Sequence, residues 1–335
     1  MGKYIFSLLI LMLALSSCEQ IIEFPQKEND MLTVCAVAVT GQPLEVHVSK
    51  SVPVDKVPNF YDRGFDVYTK ESKEFYDNNV LIRDAVVELS VNGVAKCKLY
   101  FNEESLCYQC DYVPHAGETL SLTVSAGDYP QAHCTTTVPE TASELSDIEY
   151  EVYYDKAATP QEREEANRGR DWDQYGADSI MTISFQFEDP VSIENYYRLR
   201  VRSVGKFKSM FSQTADSYTA CDVFSSNDPI FYDIDLKKGY GSWSAFFSNV
   251  FDDHLIDGKN YHLTVNSRKR IDPETFTIIE LQSISPDLYY FLKTMQIYRI
   301  STDDCYQTPV GLYCNVVNGW GYFGAINTRS YTIVR

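Results

Sequence analysis

Short segments in which apolar and polar residues alternate recur through the chain, and they constrain its fold more than any other feature. Residues 44–48 and 120–124 each carry three aliphatic side chains at every second position. Turn signals containing Gly or Pro separate such segments at intervals of about 8–12 residues. A period of two residues places one face of a strand in a core and the other in solvent. The pattern predicts a mainly β protein, in which residues 31–140 form an immunoglobulin-like β-sandwich.

The second half of the chain predicts a further β-rich domain, over residues 145–335, that carries one amphipathic helix. Strand patterns recur here, and a helix over 286–300 follows the last of them. Ser285 is a suitable N-cap and Pro286 suits the first helical position. Apolar side chains then recur at steps of three and four residues and predict a buried stripe. They are Leu288, Phe291, Leu292, Met295 and Tyr298.

The first 18 residues predict a cleaved export signal that ends at a lipid-modified cysteine. Lys3 supplies the positive start, and residues 5–15 form an apolar run that is shorter than the ~20 residues of a membrane-spanning helix. Small residues and then Cys18 follow Leu15, as in the lipobox of bacterial lipoproteins. The alternatives are an ordinary signal with a chance cysteine, or an uncleaved anchor. We predict a signal peptide over 1–17, acylation of Cys18, and a polar tether over 18–30.

The charge of the chain bears on its partners. The net charge is −18, and removal of the signal with its Lys3 makes it −19. Such a surface repels nucleic acid and anionic headgroups, so we expect no nucleic-acid partner. We expect contact with a membrane of the cell envelope through the lipid at Cys18. Whether the chain faces the periplasm or the cell surface stays open.

Eight cysteines remain after Cys18, and an even number in an exported chain permits disulfides. A four-residue hairpin loop at 102–105 would pair positions whose numbers sum to 207, which places Cys97 opposite Cys110. We predict a disulfide between them, with two reduced core thiols as the alternative. Cys305 and Cys314 flank a turn at 309–311 and are candidates for a second disulfide.

Recognisable catalytic and cofactor signatures give weak signals. Gly319, Gly321 and Gly324 form a GxGxxG pattern, but no helix or βαβ unit follows it, so nucleotide binding is disfavoured. Three acidic pairs could ligate Ca²⁺, although solvated loop acids explain them better. They are Asp233/Asp235, Asp252/Asp253 and Asp303/Asp304. We therefore predict no catalytic residues, metal or cofactor.

Two segments show little periodicity. Residues 52–79 predict a long irregular loop whose aromatic side chains either form a binding rim or cover the edge of the sandwich. Residues 155–178 are strongly charged and predict a protrusion. The role of both segments stays open.

The lipobox occurs together with residues 49–54 (SKSVPV), 285–290 (SPDLYY) and 318–325 (NGWGYFGA). In this combination the chain resembles a Bacteroidetes lipoprotein family of unknown function, the domain of unknown function 4249. The resemblance covers nearly the whole mature chain. It implies a role beside TonB-dependent outer-membrane transporters and supplies no catalytic residues.

Three functions compete. The first, which we prefer, is a non-enzymatic binding or accessory module for a TonB-dependent transporter. The second is a structural or adhesive surface subunit, which would polymerise or donate a strand at an open sheet edge. The third is an enzyme that acts on glycans or peptides, which would need a polar cleft with converging carboxylates.

Overall fold

The computed structural model confirms the mainly β fold, with two sheets and one long helix. The immunoglobulin-like topology of the first sandwich stays a prediction. The described residues are 31–52, 70–140, 144–154, 179–206, 218–222, 224–232, 248–269, 276–302 and 311–333.

The elements are listed here in chain order. The strands are β1 (Leu32–Val39), β2 (Glu45–Lys50), β3 (Val86–Val91), β4 (Val94–Asn102), β5 (Cys107–Gln109), β6 (Thr119–Ser125), β7 (Ala132–Thr137), β8 (Ser146–Tyr154), β9 (Ser179–Glu188), β10 (Tyr196–Lys206), β11 (Tyr218–Asp222), β12 (Phe224–Ser225), β13 (Val250–Asp252), β14 (Asn260–Lys269), β15 (Phe276–Ile284) and β16 (Trp320–Ile333). The helices are α1 (Lys70–Asn79), α2 (Pro286–Thr302) and a 3-10 turn (Pro229–Phe231).

The larger sheet has the order β11-β10-β15-β16-β1-β2-β5-β4-β3-β6-β7, with β13 also paired to β10. The smaller sheet has the order β12-β14-β9-β8. Strand β16 pairs parallel with β1 and antiparallel with β15. Strands on both sides of the predicted boundary near residues 140–145 therefore share one sheet. The two-domain division itself stays a prediction.

Three apolar clusters fill the described interior. The first, under β1 to β7, contains the aliphatic side chains of 44–48 and 120–124, so their predicted inward face is confirmed. The second lies between β9, β10, β14 and β15. The third packs helix α2 against the opposite face of β16 and β1. Helix α2 therefore holds the residues at its N-terminal end in place against the large sheet.

Helix α2 confirms the helix predicted at 286–300 and extends it to Thr302. The Ser285 Oγ accepts a hydrogen bond from the Leu288 N–H at 3.4 Å, as an N-cap should. It also accepts one from the Ala325 N–H of β16 at 3.0 Å. Leu288 and Phe291 of the predicted stripe are buried, but the prediction is wrong for Tyr298, which is 41% exposed. No helix in the described part of the chain combines the length and apolarity needed to cross a membrane.

The three glycines of the GxGxxG pattern serve packing between β16 and its neighbours. A Cβ at Gly321 would lie 2.1 Å from the carbonyl oxygen of Val34, and the φ of Gly321 is +110°. A Cβ at Gly324 would lie 2.6 Å from the Cβ of Leu288 on helix α2. Close approach of backbone or helix is a common reason for glycine in a strand. This packing accounts for the pattern without a nucleotide.

Part of the predicted loop at 52–79 is wrong, because residues 70–79 form helix α1. This stretch contains no Gly or Pro and begins with Lys and Glu, which favour helices. The lack of strand periodicity therefore does not distinguish a loop from a helix in this stretch. Residues 53–69 lie outside the described residues, as does the acidic segment 155–178.

The predicted register of the β4–β5 hairpin is also wrong. Asn102 pairs with Cys107 and Phe101 with Tyr108, so paired numbers sum to 209 and not 207. The hydrogen bond from the Leu106 N–H to the Asn102 carbonyl moves the turn one residue along. A change of two in the sum preserves which side chains share a face. The predicted apolar face therefore survives, whereas the direct Cys97–Cys110 pairing does not.

Candidate functional site

The strand register defines two ends of the larger sheet, one at the start of β1 and one where β1 finishes. At the start of β1, Thr33 lies beside Trp320. At its other end Val39 lies beside Ile326, and the pairing continues through β15 to Tyr196. The two rows of paired residues are about 20 Å apart, because each residue of a strand adds about 3.3 Å. We call the first the tether end, because the predicted tether joins there at Met31, and the second the loop end.

Two loops form the loop end, and a buried carboxylate joins them. The loops are 189–195, between β9 and β10, and 253–259, between β13 and β14. Asp189 is 1% exposed, and its oxygens accept hydrogen bonds from the Tyr197 hydroxyl at 2.5 Å and the Gly258 N–H at 3.1 Å. Burial raises the pKa of Asp189, while these hydrogen bonds oppose the shift.

Further carboxylates lock the same two loops together. The Asp253 side chain, itself buried, accepts from the Asn195 N–H at 2.7 Å. The Asp257 side chain accepts from the Ser192 N–H at 2.8 Å. Each acid of the second loop thus satisfies a backbone donor of the first. The cross-links predict low mobility for both loops.

Apolar side chains occupy the tips of these loops. Val191 is 69% exposed, Ile193 is 57% exposed and Leu255 is 38% exposed. Gly258 makes room for Val191, because a Cβ there would lie 2.8 Å from the Val191 Cγ2 atom. Solvent alone gives no reason for aliphatic side chains on turns. Exposed apolar groups on rigid supports are typical of binding surfaces.

Four tyrosines continue this surface beside the loops. Tyr196 and Tyr289 are buried, with ring centroids 4.6 Å apart. The ring centroid of Tyr290 lies 5.9 Å from that of Tyr196 and 5.7 Å from that of Tyr313, and Tyr290 is 42% exposed. Helix α2 places Tyr289 and Tyr290 here because its N-terminus is capped at the loop end. We call these four residues the tyrosine cluster.

Carboxylates hold the hydroxyls of this cluster. Tyr313 donates to the Asp287 Oδ1 atom at 2.7 Å, and Tyr196 donates to Glu194. Tyr289 donates weakly to Asp252, at 3.4 Å. Burial, followed by the neighbouring carboxylates, raises the pKa of Tyr196 and of Tyr313. Both hydroxyls therefore stay protonated at neutral pH, and the rings are fixed in place.

The loop end offers groups for noncovalent contacts, which are aliphatic side chains, aromatic faces and carboxylate acceptors. Asp189, Asp253 and Asp257 are engaged by loop donors, which is a structural use of acids. No cluster of three or more His, Cys, Asp or Glu side chains suited to a metal ion occurs within the described ranges.

The predicted site residues have different outcomes. Cys18 and Cys305 lie outside the described residues, so acylation and a Cys305–Cys314 disulfide stay predictions. Cys97, Cys110 and Cys314 are free thiols in the structure. Cys97 and Cys110 hydrogen-bond to each other, and burial together with this contact raises the pKa of Cys97 to about 12. Their disulfide also stays a prediction.

Of the acidic pairs, Asp252 and Asp253 are described, whereas Asp233/Asp235 and Asp303/Asp304 lie outside the described residues. Sequence reasoning singled out Asp252 and Asp253 for Ca²⁺ and missed the hydrogen bond that Asp253 accepts from Asn195 in the facing loop. The usable signals were Asp189-Pro190 and Asp257-Gly258, two turn dipeptides that follow strand patterns. Val191 and Ile193, aliphatic residues inside such a turn, marked the exposed tip. Only coordinates show that the two loops meet.

Comparisons with known proteins place the chain in a family. The model of the Domain of unknown function (DUF4249) matches residues 19–332. No curated protein matches the chain. A crystal structure from Corynebacterium diphtheriae, described as membrane anchored, is 10% identical with a TM-score of 0.20. The match covers 88% of this chain and 59% of that one. Because the DUF4249 model spans nearly all of the chain, this protein belongs to the DUF4249 family.

Proposed function

We propose that this protein is a lipid-anchored, non-enzymatic binding module of the outer membrane that works beside a TonB-dependent transporter. One observation carries the proposal. A rigid surface with exposed apolar tips lies at the end of the sheet opposite the residue where the tether joins. This arrangement suits a protein that is held to a membrane at one end and presents a binding face at the other.

The anchor follows from the lipobox at Cys18. Thirteen residues, 18–30, separate the acylated cysteine from the first described residue. Thirteen residues can span at most about 45 Å. The loop end adds about 20 Å of strand to that distance. The binding face is then held within reach of a neighbouring membrane protein at high effective concentration.

The loops are preorganised for binding. Their tips need not be ordered when a partner arrives, because Asp189, Asp253 and Asp257 already hold them. Preorganisation lowers the entropic cost of association. Val191, Ile193 and Leu255 are then available as apolar anchors, with the partly exposed Tyr290 beside them. A protein surface is the partner that such a set fits best.

The adhesive alternative is less well supported. Edge strand β7 is partly covered, since His133 exchanges two backbone hydrogen bonds with Val317. Edge strand β8 is interrupted by a register shift between Ser146 and Glu149, and Asp147 there has a φ of +47°. Covered or irregular edges resist addition of a further strand. At these two edges, both features disfavour the strand addition that a polymerising subunit needs.

The decisive experiment is a pull-down from outer membranes with the acylated, tagged chain, which we expect to recover a TonB-dependent transporter. The test variant carries Val191→Asp, Ile193→Asp and Leu255→Asp. We expect it to fold normally, because these side chains are exposed, and to recover at least about tenfold less transporter. The matched control carries Val94→Asp and Tyr100→Asp, which are also exposed but lie outside the loop end. It should recover the transporter normally.

Two results would overturn the proposal. One is isolation of the native chain as a free lipoprotein under gentle detergent. The other is recovery of the transporter by the loop-end variant at the level of the control, which would remove the loop end as the binding face. Screens with glycans and peptides in parallel would detect turnover if the chain were an enzyme.

A further inference from the structure

The tether end exposes a second set of apolar side chains, of a different kind. Trp320 is 54% exposed and Val317 is 62% exposed. They flank the turn at Asn318 and Gly319 that leads into β16. A tryptophan side chain is large and seldom left in water without a partner. The question is what covers this end of the molecule.

The position of Trp320 relative to the start of the described chain limits the answer. Trp320 pairs with Thr33, two residues after Met31. The Met31 N–H donates to the Ser51 Oγ atom at 3.0 Å, so the point where the tether joins is fixed to the sheet. The tether from there to Cys18 has 13 residues and can reach at most about 45 Å. Lipid at Cys18 therefore keeps Trp320 within this distance of the bilayer.

The backbone around Trp320 is held firmly. A Cβ at Gly319 would lie 2.8 Å from the Leu32 carbonyl oxygen and 3.3 Å from the Ala132 Cβ atom. The Asn318 side chain donates to the Gln131 carbonyl at 3.2 Å. The turn is thus packed against β1 and β7 and presents Trp320 and Val317 on a rigid support.

A cleft at this end has a lining of mixed charge. It has a volume of about 510 Å³, and its charged residues are Lys50, Arg83, Asp77 and Asp84. Lys50 pairs with Leu32 in the register of β1 and β2, so the cleft lies at the tether end. Arg83 also forms an ion pair with Glu103 at 3.5 Å, so charges of both signs lie close together here, as they do in zwitterionic headgroups. Such mixed charges suit an anionic surface less well, as does the net charge of −18.

We infer that the tether end rests on the bilayer, with Trp320 and Val317 in the headgroup interface of zwitterionic lipids. Tryptophan is enriched at this depth because its ring is apolar and its indole N–H remains hydrogen-bonded. The inference rests on the proposed anchoring at Cys18. It assigns a second function to the closing NGWGYFGA segment, which also pairs β16 with β1. It also orients the loop end away from the lipid surface.

The test uses the full acylated chain in vesicles of phosphatidylethanolamine and phosphatidylcholine. The sequence has three tryptophans, so Trp172→Phe with Trp243→Phe leaves Trp320 as the reporter. Lipids brominated near the headgroup should quench its fluorescence by about half, and lipids brominated near the chain ends should quench it less. The matched control moves the reporter to the loop end, by adding Trp320→Phe and Tyr290→Trp. Its fluorescence should not respond to bromine.

Two outcomes would overturn the inference. In the first, the chain floats with the vesicles but Trp320 is unquenched, or the Tyr290→Trp reporter is quenched more strongly. The anchor would then be intact and the orientation wrong. In the second, the chain does not float with vesicles although Cys18 is present, and the anchoring of the proposed function fails as well. Flotation measured before quenching separates the two.

Discussion

The loop end and the tether end both expose large apolar side chains, but they hold them in different ways. At the loop end, buried carboxylates cross-link two long loops through hydrogen bonds. At the tether end, glycines let the backbone of β16 pack directly against β1. The first arrangement depends on single polar side chains, and the second depends on the absence of a side chain. The two ends should therefore respond differently to substitution.

The largest effect is expected at the tether end, from Gly321→Ala. The new Cβ would lie 2.1 Å from the Val34 carbonyl oxygen, at a φ of +110°, so β16 must move away from β1. We expect a loss of about 4 kcal/mol or more in the free energy of unfolding, or failure to fold. Urea unfolding would measure it.

The matched control is Gly311→Ala, because a Cβ at Gly311 meets no atom within 4 Å. It should change stability by less than about 0.5 kcal/mol. Equal effects of the two substitutions would show that close packing of β16 is not what holds the tether end.

The second effect is at the loop end, from Asp189→Ala. The substitution removes the buried carboxylate that accepts hydrogen bonds from the Tyr197 hydroxyl and the Gly258 N–H. We expect the free energy of unfolding to fall by about 3 kcal/mol. Hydrogen exchange should accelerate in residues 189–195 and 253–259, while the tether end stays protected.

Asp257→Ala is the control for this position. Asp257 is exposed and accepts a hydrogen bond from the Ser192 N–H, so its loss should lower the free energy of unfolding by less than about 1 kcal/mol. If it destabilises the chain as much as Asp189→Ala, then burial of Asp189 is not what pins the loops.

The two ends also differ in how well the sequence predicts them. Strand patterns and the helix start at Ser285 are local signals, and they predicted the elements that lead to both ends. The partners of Asp189 are distant in sequence, since Gly258 is 69 residues away. Periodicity carries no information about such contacts. The GxGxxG pattern was visible, but its partner Val34 is almost 300 positions away, so its packing role required coordinates.

The β4–β5 hairpin shows a related limit. Alternation predicted which side chains share the inner face, and the structure confirms it for Leu99, Phe101 and Tyr108. Alternation cannot distinguish registers that differ by two in the sum of paired positions, because both bury the same set. The choice depends on the turn, where Leu106 adopts a φ of +55°. Such a φ in leucine is unusual, so sequence rules would not have predicted it.

A smaller effect is expected from Ser285→Ala, where helix α2 meets β16. The Ser285 hydroxyl accepts from both the Leu288 N–H and the Ala325 N–H. Its loss should lower the free energy of unfolding by about 1–2 kcal/mol and loosen the first turn of α2, which carries Tyr289 and Tyr290 of the tyrosine cluster. Thermal unfolding would measure the cost, and Tyr290→Trp fluorescence would report local loosening. Ser330→Ala, at an exposed position of β16, is the control and should be neutral.

The smallest expected effect concerns the thiol of Cys97, which packs against the first apolar cluster. With the pKa of Cys97 near 12, its thiolate is about a thousandfold scarcer at pH 8 than in a thiol with the ordinary value of 9.0. Under reducing conditions, we expect iodoacetamide to alkylate Cys97 far more slowly in the folded chain than in urea. Mass spectrometry of the Cys97 peptide would follow the rate. Rapid labelling of the folded chain would mean that β4 opens readily and that the first apolar cluster is less rigid around Cys97 than its packing indicates. Peptide mapping without reductant, on chain from the envelope, then decides whether Cys97 and Cys110 are joined there.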